Sequence, residues 1–306
     1  MGVKAVESYR GAVWGLFLLP LALLAAGCSQ DLLTFSPWQV RPTGTQANLW
    51  GIAYGNGAFV AVGEALLVSP DGERWQKVTE GVCLADVAFG DAGFVVPECG
   101  PWSGVLISQD GYRWQRYTLS SHAPINGIAY GNGRYVAVAD LGLTYVSTDG
   151  LNWQRANGLG LQRYLDVTFV NGLFIRFDID PWVSTDGFNW SLPEQNPSST
   201  NNLYGGTYGK GLYVVVGSSG TVLTSTDARR WTLQRTNSFA GLAEVAYGND
   251  RFVAVGSSEI LSSKDGVEWV SEMPSDRPMW SLADIIYAQG KFVAVGSKGL
   301  VLTSTR

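Results

Sequence analysis

The sequence predicts an all-β fold, a seven-bladed β-propeller built from four-stranded antiparallel blades, and three observations lead to it. A short motif, Ser-x-Asp-Gly-x-x-Trp, recurs at intervals of about forty residues, which is a period of repeat architectures. An aromatic residue recurs seven times at one position of that repeat. The chain also opens on a lone strand and ends one strand short of a full repeat, so its two ends can complete a single blade.

The recurring motif predicts a tight hairpin turn. In Ser147–Trp153 the Asp149 carboxylate can accept hydrogen bonds from N–H groups of its own turn, and Gly150 can take a positive φ. Trp153 then begins the next strand and offers a large apolar face. The aspartates of the six copies are Asp71, Asp110, Asp149, Asp186, Asp227 and Asp265, and alanine replaces glycine only after Asp227. We expect all six to be structural.

This motif resembles the Asp-box (BNR) repeat of sialidase-like β-propellers, from which it differs by having one residue fewer between the aspartate and the tryptophan. The resemblance extends over residues 38–306. It implies a propeller in which the box is a structural turn, remote from any active site. It does not imply an activity, because unrelated propellers carry the same box.

Each repeat has the pattern of a four-stranded meander. In the first repeat the strands are residues 50–54, 59–63, 66–69 and 75–78, and the first turn is Gly55–Gly57. The inner strand of every repeat carries an aromatic residue: Tyr54, Phe89, Tyr130, Phe169, Tyr208, Tyr247 and Tyr287. Seven such residues predict seven blades.

The two ends of the repeat region predict how the ring closes. Trp38–Val40 matches the last strand of a repeat, whereas the final repeat stops after its third strand at residues 300–306. Pairing these segments would complete the last blade and remove two open sheet edges. We therefore expect a single propeller over residues 36–306, preceded by a short tether over residues 29–35.

The first 28 residues predict a targeting segment that is not part of the fold. Two basic residues precede an apolar stretch, and Leu24–Cys28 resembles the site at which a lipoprotein signal peptide is cleaved. The resemblance implies an exported, membrane-anchored protein with a lipid on Cys28, on the periplasmic side or at the cell surface. Ser29 would favour the outer membrane in a two-membrane bacterium. An ordinary secretory signal or an uncleaved anchor is the alternative.

Charge and cysteine content limit the classes of partner. A net charge of −5 disfavours nucleic acid and anionic lipid surfaces. Cys83 lies opposite Cys99 or Gly100 in a predicted hairpin, and this register favours a disulfide between Cys83 and Cys99 in an exported protein; two buried free thiols are the alternative. The spacing of histidine and cysteine predicts no metal site, and no motif predicts a cofactor. We expect a monomer.

The loops that lead into the inner strands vary between repeats, so we expect a ligand to bind at that face. Its aromatic and polar residues would suit a peptide, a protein or a sugar. The candidates are Trp102, Arg163, Tyr164, Trp182, Tyr204 and Trp280. The alternative is that the tryptophans cover blade edges as packing.

A ring of acidic residues is predicted near the mouth of the central channel. Three positions before the inner aromatic residue stand Gly51, Asp86, Gly127, Asp166, Gly205, Glu244 and Asp284. The four acids could form a funnel for a cation or a basic group, and they are the candidates for a weak oxygen-ligand metal site. Alternatively, each carboxylate accepts hydrogen bonds from the backbone of a neighbouring blade.

An enzymatic function is not predicted. Sialidase chemistry needs three arginines that hold a carboxylate, together with a tyrosine nucleophile and a glutamate base. No segment around Arg41, Arg163, Arg176 or Arg277 matches the arginine motif of that family. The single histidine, His122, has no nucleophile motif to serve, and the Gly-Asn-Gly segments are hairpin turns instead of phosphate-binding loops.

A second resemblance concerns the blades themselves. Phe252–Gly256 and the Ser-Thr-Asp-Gly turns are similar to those of propeller lipoproteins that assist photosystem II assembly, and of their non-photosynthetic relatives. This likeness implies a non-catalytic scaffold that holds a protein partner at a membrane of the cell envelope. Two hypotheses follow: such a protein-binding scaffold, or a glycan-directed protein, either a divergent glycoside hydrolase or a lectin-like binder.

Overall fold

The computed structural model describes residues 37–99, 104–118, 123–156, 165–197, 201–274, 276 and 279–305. Contacts divide the chain into the units Met1–Thr34 and Phe35–Arg306, and every described residue belongs to the second unit. The predicted signal peptide with Cys28, the tether, Trp102, Arg163 and Tyr164 lie outside the described residues. Within the described ranges, no helix is long and apolar enough to cross a membrane.

The fold is a seven-bladed β-propeller of antiparallel sheets, which confirms the predicted fold class. Blade 1 contains β2 (Leu49–Gly55), β3 (Ala58–Gly63), β4 (Ala65–Ser69) and β5 (Gln76–Glu80). Blade 2 contains β6 (Ala88–Gly90), β7 (Gly93–Pro97), β8 (Gly104–Ser108) and β9 (Gln115–Thr118). Blade 3 contains β10 (Ile125–Gly131), β11 (Arg134–Ala139), β12 (Leu143–Ser147) and β13 (Gln154–Arg155). Blade 4 contains β14 (Asp166–Val170), β15 (Leu173–Phe177) and β16 (Pro181–Ser184).

The remaining three blades complete the ring. Blade 5 contains β17 (Leu203–Gly209), β18 (Leu212–Gly217), β19 (Val222–Ser225) and β20 (Thr232–Gln234). Blade 6 contains β21 (Leu242–Gly248), β22 (Arg251–Gly256), β23 (Glu259–Ser263) and β24 (Val270–Ser271). Blade 7 contains β25 (Leu282–Ala288), β26 (Lys291–Gly296), β27 (Val301–Ser304) and β1 (Gln39–Arg41). Short 3-10 turns follow the second strand at Asp140–Gly142, Ser218–Gly220 and Ser297–Gly299.

Blade 7 joins the two ends of the propeller, as the sequence predicted. Strand β1 pairs antiparallel with β27, so that Gln39 lies opposite Thr303 and Arg41 opposite Val301. Just before β1, the Trp38 indole N–H donates to Glu272 Oε2 at 2.9 Å, and this bond ties the N-terminal strand to the end of blade 6. Ring closure therefore combines backbone pairing with a side-chain bond to the preceding blade.

Blade 4 departs from the four-stranded pattern. Its outermost position is reduced to one bridge between Val183 and Ser191, because Pro193 lacks the N–H that would continue a ladder. The chain instead crosses to blade 5, where the Gln195 N–H donates to the Arg229 carbonyl oxygen at 3.1 Å. This crossover attaches blade 4 to the Asp-Gly-type turn of its neighbour.

Close approach between blades depends on glycines that end the inner strands. A Cβ at Gly131 would lie 2.1 Å from Cγ of the Phe169 ring in blade 4, and one at Gly55 would lie 2.0 Å from Cγ of the Phe89 ring in blade 2. The same close contact of an inner aromatic ring with the glycine of the preceding blade recurs at Gly90, Gly209 and Gly248. The second strands are buried between blades, and together these contacts form the core.

Chain direction defines two faces of the ring. The entry face carries the loops that lead into the inner strands, and the turn face carries the inner hairpin turns and the Asp-Gly turns. On the turn face the blades are bonded to each other: Asn56 Nδ2 donates to the Gln109 carbonyl oxygen at 2.8 Å. Lys291 Nζ likewise reaches the Asp71 carbonyl oxygen at 3.0 Å across the closure. Much of the turn face therefore serves assembly of the ring.

Candidate functional site

The Asp-Gly turns use their carboxylates internally. In the turn of blade 3, Asp149 Oδ1 accepts the N–H groups of Leu151 at 2.8 Å and Asn152 at 2.7 Å. The Trp153 indole N–H donates to the Gly150 carbonyl oxygen at 2.9 Å. All six aspartates make the same pair of backbone bonds. These carboxylates are therefore occupied by their own turns.

Those backbone donors also keep the turn carboxylates ionised. The N–H group of Asn152 holds the pKa of Asp149 well below its usual range, since hydrogen bonds to the charged form stabilise it. The N–H groups of Arg230 and Arg229 lower the pKa of Asp227 to about 2. A proton-transfer role at neutral pH does not fit such groups.

Four other carboxyl groups line the central channel. Asp86 accepts the N–H of Val87 at 2.7 Å and the N–H of Ile128, in the next blade, at 2.9 Å. Asp284 likewise accepts the N–H of Ile52 in blade 1 at 2.7 Å. For these two acids the structure shows the bond to a neighbouring blade that the sequence left as the alternative.

The other two acids bond to the residue that follows them. Asp166 accepts the N–H of Val167 at 2.7 Å, and Glu244 accepts the N–H of Val245 at 2.9 Å. These hydrogen bonds hold the four carboxyl groups against the inner strands at one level of the channel. A ring of fixed carboxyl groups results.

The glycines between these acids are sterically required. A Cβ at Gly51 would lie 2.4 Å from Asp86 Oδ1, one at Gly127 would lie 2.0 Å from Asp166 Oδ1, and one at Gly205 would lie 2.2 Å from Glu244 Oε2. Each acid therefore fills space that its glycine neighbour leaves open. Alternation of glycine and acid cannot run around an odd number of blades, so Glu244 and Asp284 stand in adjacent blades.

Burial raises the pKa of all four channel acids, and the charge of another channel acid raises it further for Asp166, Glu244 and Asp284. Burial raises the pKa of Asp86 to about 6. Burial and then the charge of Asp86 raise the pKa of Asp284 to about 7. Burial and then the Asp284 charge move the pKa of Glu244 well above its usual value, and burial with the Asp86 charge does so for Asp166. The ring can therefore take up protons near neutral pH.

Two cavities meet at the acid ring. One, of about 390 Å³, opens toward the turn face and is lined by inner aromatic residues such as Tyr54 and Tyr130. The other, of about 210 Å³, opens toward the entry face beneath Trp50, Asn126 and Tyr204. No three acids, histidines or cysteines in the described residues are placed to hold a metal ion.

The aromatic residues named from the sequence fall into separate places. Tyr204 lines the channel mouth together with the acid ring. Trp182 lies 5.1 Å from the Arg176 guanidinium, which is fully buried and also stacks on Trp190 at 4.3 Å, so this tryptophan contributes to packing in blade 4. Trp280 is half-buried against the core of blade 7 and also lines a surface groove.

Sequence reasoning missed the apolar side chains that project from the entry face. Phe239 and Met279 lie in loops leading into blades 6 and 7, and each is 93% exposed. Trp50, at the channel mouth, is 37% exposed. Their position in variable entry loops was visible in the sequence, but their exposure depends on how the loops fold. Large exposed apolar side chains of this kind are typical of interaction surfaces.

The same face carries the disulfide. Cys83 and Cys99 form a disulfide with a Cα–Cα distance of 5.2 Å, and the Cys99 N–H donates to the Cys83 carbonyl oxygen at 2.9 Å. Within the described ranges, no arginine lines the cavity at the entry-face mouth. The described part of this mouth therefore offers no arginine to a carboxylate ligand.

Several solved structures share this fold. "YCF48 bound to D1 peptide" matches with a TM-score of 0.73 and 17% identity over 89% of this chain and 98% of that chain. "YCF48 from Cyanidioschyzon merolae" matches with a TM-score of 0.69 and 18% identity over 87% and 98%. The Niastella koreensis GH74 enzyme matches with a TM-score of 0.64 and 15% identity, over 86% of this chain and 44% of that chain. At these identities the likeness shows the fold alone. No protein-family model and no curated protein match the sequence.

Proposed function

We propose that this protein is a non-catalytic scaffold that binds a protein partner through the entry face of its propeller. The observation that carries the proposal is the exposure of Phe239 and Met279, which project from loops of the entry face and are each 93% exposed. Exposed aromatic and methionine side chains supply much of the contact energy in protein interfaces. The fold match to a YCF48 structure described as bound to a D1 peptide supports a polypeptide ligand.

Tethering to a membrane is the second part of the proposal. Lipid attached to Cys28 would anchor the propeller through the short segment 29–35, on the periplasmic side or at the cell surface. Replacement of Cys28 by alanine should abolish incorporation of labelled fatty acid and move the protein from the membrane pellet to the supernatant. Unchanged fractionation with no label in the wild type would exclude the lipid anchor.

Partner binding is tested by photo-cross-linking in cells that make the protein. A benzophenone amino acid at Phe239 samples the entry face, and the same group at Asn132 samples the turn face. We expect a discrete protein adduct from the first position and none from the second. Equal adducts from both positions, or none from either, would contradict an entry-face scaffold.

Glycan binding is the second candidate, favoured by the channel mouth. Trp50 and Tyr204 stand there beside the acid ring, and aromatic faces with carboxyl groups are suited to sugars. The fold match to a GH74 enzyme supports this second candidate. A glycan array would favour it if a signal appeared that was lost in Trp50→Ala. Hydrolysis of the bound glycan would show an enzyme instead of a lectin-like protein.

A further inference from the structure

A groove of about 930 Å³ runs across the entry face where blade 7 meets blade 1. We call it the seam groove. Its walls are β1 with the loop that follows it, the Met279–Ser281 segment, and the 3-10 turn Ser297–Gly299. The volume lies in the range of sites that bind a small ligand or a peptide segment. It is larger than either of the two channel cavities.

One wall of the seam groove is rigid before any ligand arrives. Thr43 Oγ1 donates to the Gly299 carbonyl oxygen at 2.8 Å, and the Gly299 N–H donates to the Ala47 carbonyl oxygen at 2.7 Å. Gly299 has φ +67°, and a Cβ there would lie 2.2 Å from the Thr45 carbonyl oxygen. Glycine therefore lets the loop and the turn lock together. A preformed wall lowers the entropy lost when a segment docks.

Exposed apolar side chains also line the seam groove. Met279 is 93% exposed, and the half-buried Trp280 beside it presents part of its ring. At the outer end Val40 is 57% exposed on β1, which is the terminal strand of its sheet. An open strand edge can accept a further strand through main-chain hydrogen bonds, and flanking apolar side chains then contact alternate residues of that strand.

The charge in the seam groove indicates what the docking segment carries. Arg41 is 3.4 Å from Glu73, and Glu80 is 2.5 Å from Lys77, so these charges already have partners. Lys298 is exposed, and within the described residues its ammonium group has no hydrogen bond or ion pair. The available charge is therefore positive, although the whole chain carries −5. It is complementary to a carboxylate.

We propose that the seam groove docks an extended, acidic segment of a partner protein, with an apolar side chain against Met279 and Trp280 and a carboxylate at Lys298. This inference rests on the proposed scaffold function, since it names where the partner binds and what chemistry it presents. The strand edge accounts for the extended conformation, the exposed apolar side chains for affinity, and Lys298 for selection of an acidic residue.

The test starts from a random peptide library panned against the full chain in detergent micelles. Affinities of the enriched peptides are then measured by fluorescence anisotropy for the wild type and three variants. Met279→Asp and Lys298→Glu alter the seam groove, whereas Lys264→Glu makes the same charge change on the turn face and is the matched control. We expect acidic peptides whose affinity falls about tenfold or more in the two groove variants and stays unchanged in the control.

A charge exchange makes the test specific. Lysine in place of the acidic residue of the peptide should weaken binding to the wild type and restore it to Lys298→Glu. Enriched peptides that bind all variants equally would contradict docking in the seam groove. The proposed scaffold function would still stand in that case if Phe239 cross-links to a protein. No enrichment at all would also overturn it, because an extended segment should be found in such a library.

Two other occupants give distinct results. If the chain dimerises and Met279→Asp makes it monomeric, a second copy fills the seam groove and the proposal fails. If deletion of residues 29–36 uncovers peptide binding that the full chain lacks, the protein's own N-terminal segment is the occupant, and the proposal fails in that form as well. Both are measured by light scattering and anisotropy on the same preparations.

Discussion

The carboxyl groups of the turns and those of the channel form two regions with opposite chemistry. Asp149 lies at the turn face, where two N–H groups of its own turn hold its pKa well below the usual range. Asp284 lies in the channel, where burial and the charge of Asp86 raise its pKa to about 7. Both are aspartates on the same repeated blade, so position in the ring decides the sign of the shift.

The difference separates what builds the ring from what the ring displays. A turn carboxylate stabilises the fold as an ion, because its donors are fixed and close. A channel carboxylate opposes folding as an ion, because it faces other acids in a partly desolvated space. Groups whose charged form is disfavoured concentrate at functional sites, and this favours the channel mouth over the turns as a place of ligand contact.

The largest effect is expected where the channel is tightest. Gly127→Ala would place Cβ 2.0 Å from Asp166 Oδ1 and 3.0 Å from Asp166 Cα. The inner strands must separate to relieve that overlap, so we expect a loss of about 3 kcal/mol in the free energy of unfolding. Urea denaturation measures it. Gly241→Ala is the control, because nothing lies within 4 Å of its added Cβ, and it should change stability little.

A double variant shows whether the acid itself causes that loss. Asp166→Ala removes the carboxyl oxygen against which the new Cβ would press. We expect the combination with Gly127→Ala to recover part of the stability, since the two residues occupy the same space. Purely additive losses would mean that the backbone of blade 4, and not the carboxyl group, limits the approach of the blades.

The second effect breaks a turn. Asp149→Ala removes the acceptor of the Leu151 and Asn152 N–H groups and of the Asn152 side-chain amide. Unpaired donors at a packed turn cost stability, so we expect a loss of about 2 kcal/mol. Asp149→Asn keeps one acceptor oxygen and should lose less. Equal loss in both variants would show that the charge, and not the hydrogen-bond geometry, holds the turn.

Much of this fold could be predicted because each blade corresponds to one local repeat of the sequence. The inner aromatic residues gave the number of blades, and the strand pattern at Trp38–Val40 gave the closure that the β1–β27 pairing confirms. The absence of a fourth strand in the sheet of blade 4 was not predicted. The regular repeat indicated four strands, and Pro193, which was visible in the sequence, interrupts the pairing of the last one.

The candidate sites were less accessible to sequence reasoning. The acid ring could be predicted because its members keep one spacing from the inner aromatic residues. The seam groove could not, since Arg41, Met279 and Lys298 come from distant parts of the chain and meet only after closure. Trp182 and Trp280 were both candidates for the binding face in the sequence. Only the structure shows that Trp182 packs against Arg176 whereas Trp280 lines a surface groove.

The third effect is a dependence of stability on pH. The folded-state pKa of Asp86 is raised to about 6 and that of Asp284 to about 7. The stability that these two acids contribute is therefore fully present below their unfolded-state pKa and is lost as pH rises through the folded-state values. Solvent in the channel screens the charges, and we expect a gain of about 1 kcal/mol between pH 8 and pH 5.

The pH profile distinguishes the two sets of acids. The turn carboxylates contribute above the unfolded pKa and lose their contribution only as pH falls toward 2, the pKa of Asp227, so they stay silent in that window. Asp86→Asn combined with Asp284→Asn should therefore flatten the profile measured by urea denaturation at each pH. An unchanged slope would mean that other groups titrate between pH 5 and pH 8.

The smallest effect concerns the one turn that lacks glycine. Ala228 has φ +57°, and within the described residues its N–H makes no bond to Ser225 Oγ and the Trp231 indole N–H has no acceptor. Five other turns make both bonds around a glycine. Ala228→Gly should let the turn close, and the relief outweighs the lost buried methyl group, for a net gain of about 0.5 kcal/mol.

The control for that gain is a buried alanine with an ordinary backbone. Ala139 is also fully buried but has φ −140°, so Ala139→Gly removes a methyl group without relieving strain and should cost about 1 kcal/mol. Thermal unfolding of the two variants side by side compares them. A loss in both would show that the methyl group of Ala228 matters more than its left-handed backbone. Blade 5 would then be held by its packing and by the crossover from blade 4, where the Gln195 carbonyl oxygen accepts the backbone N–H of Trp231 at 2.9 Å, and not by its own turn.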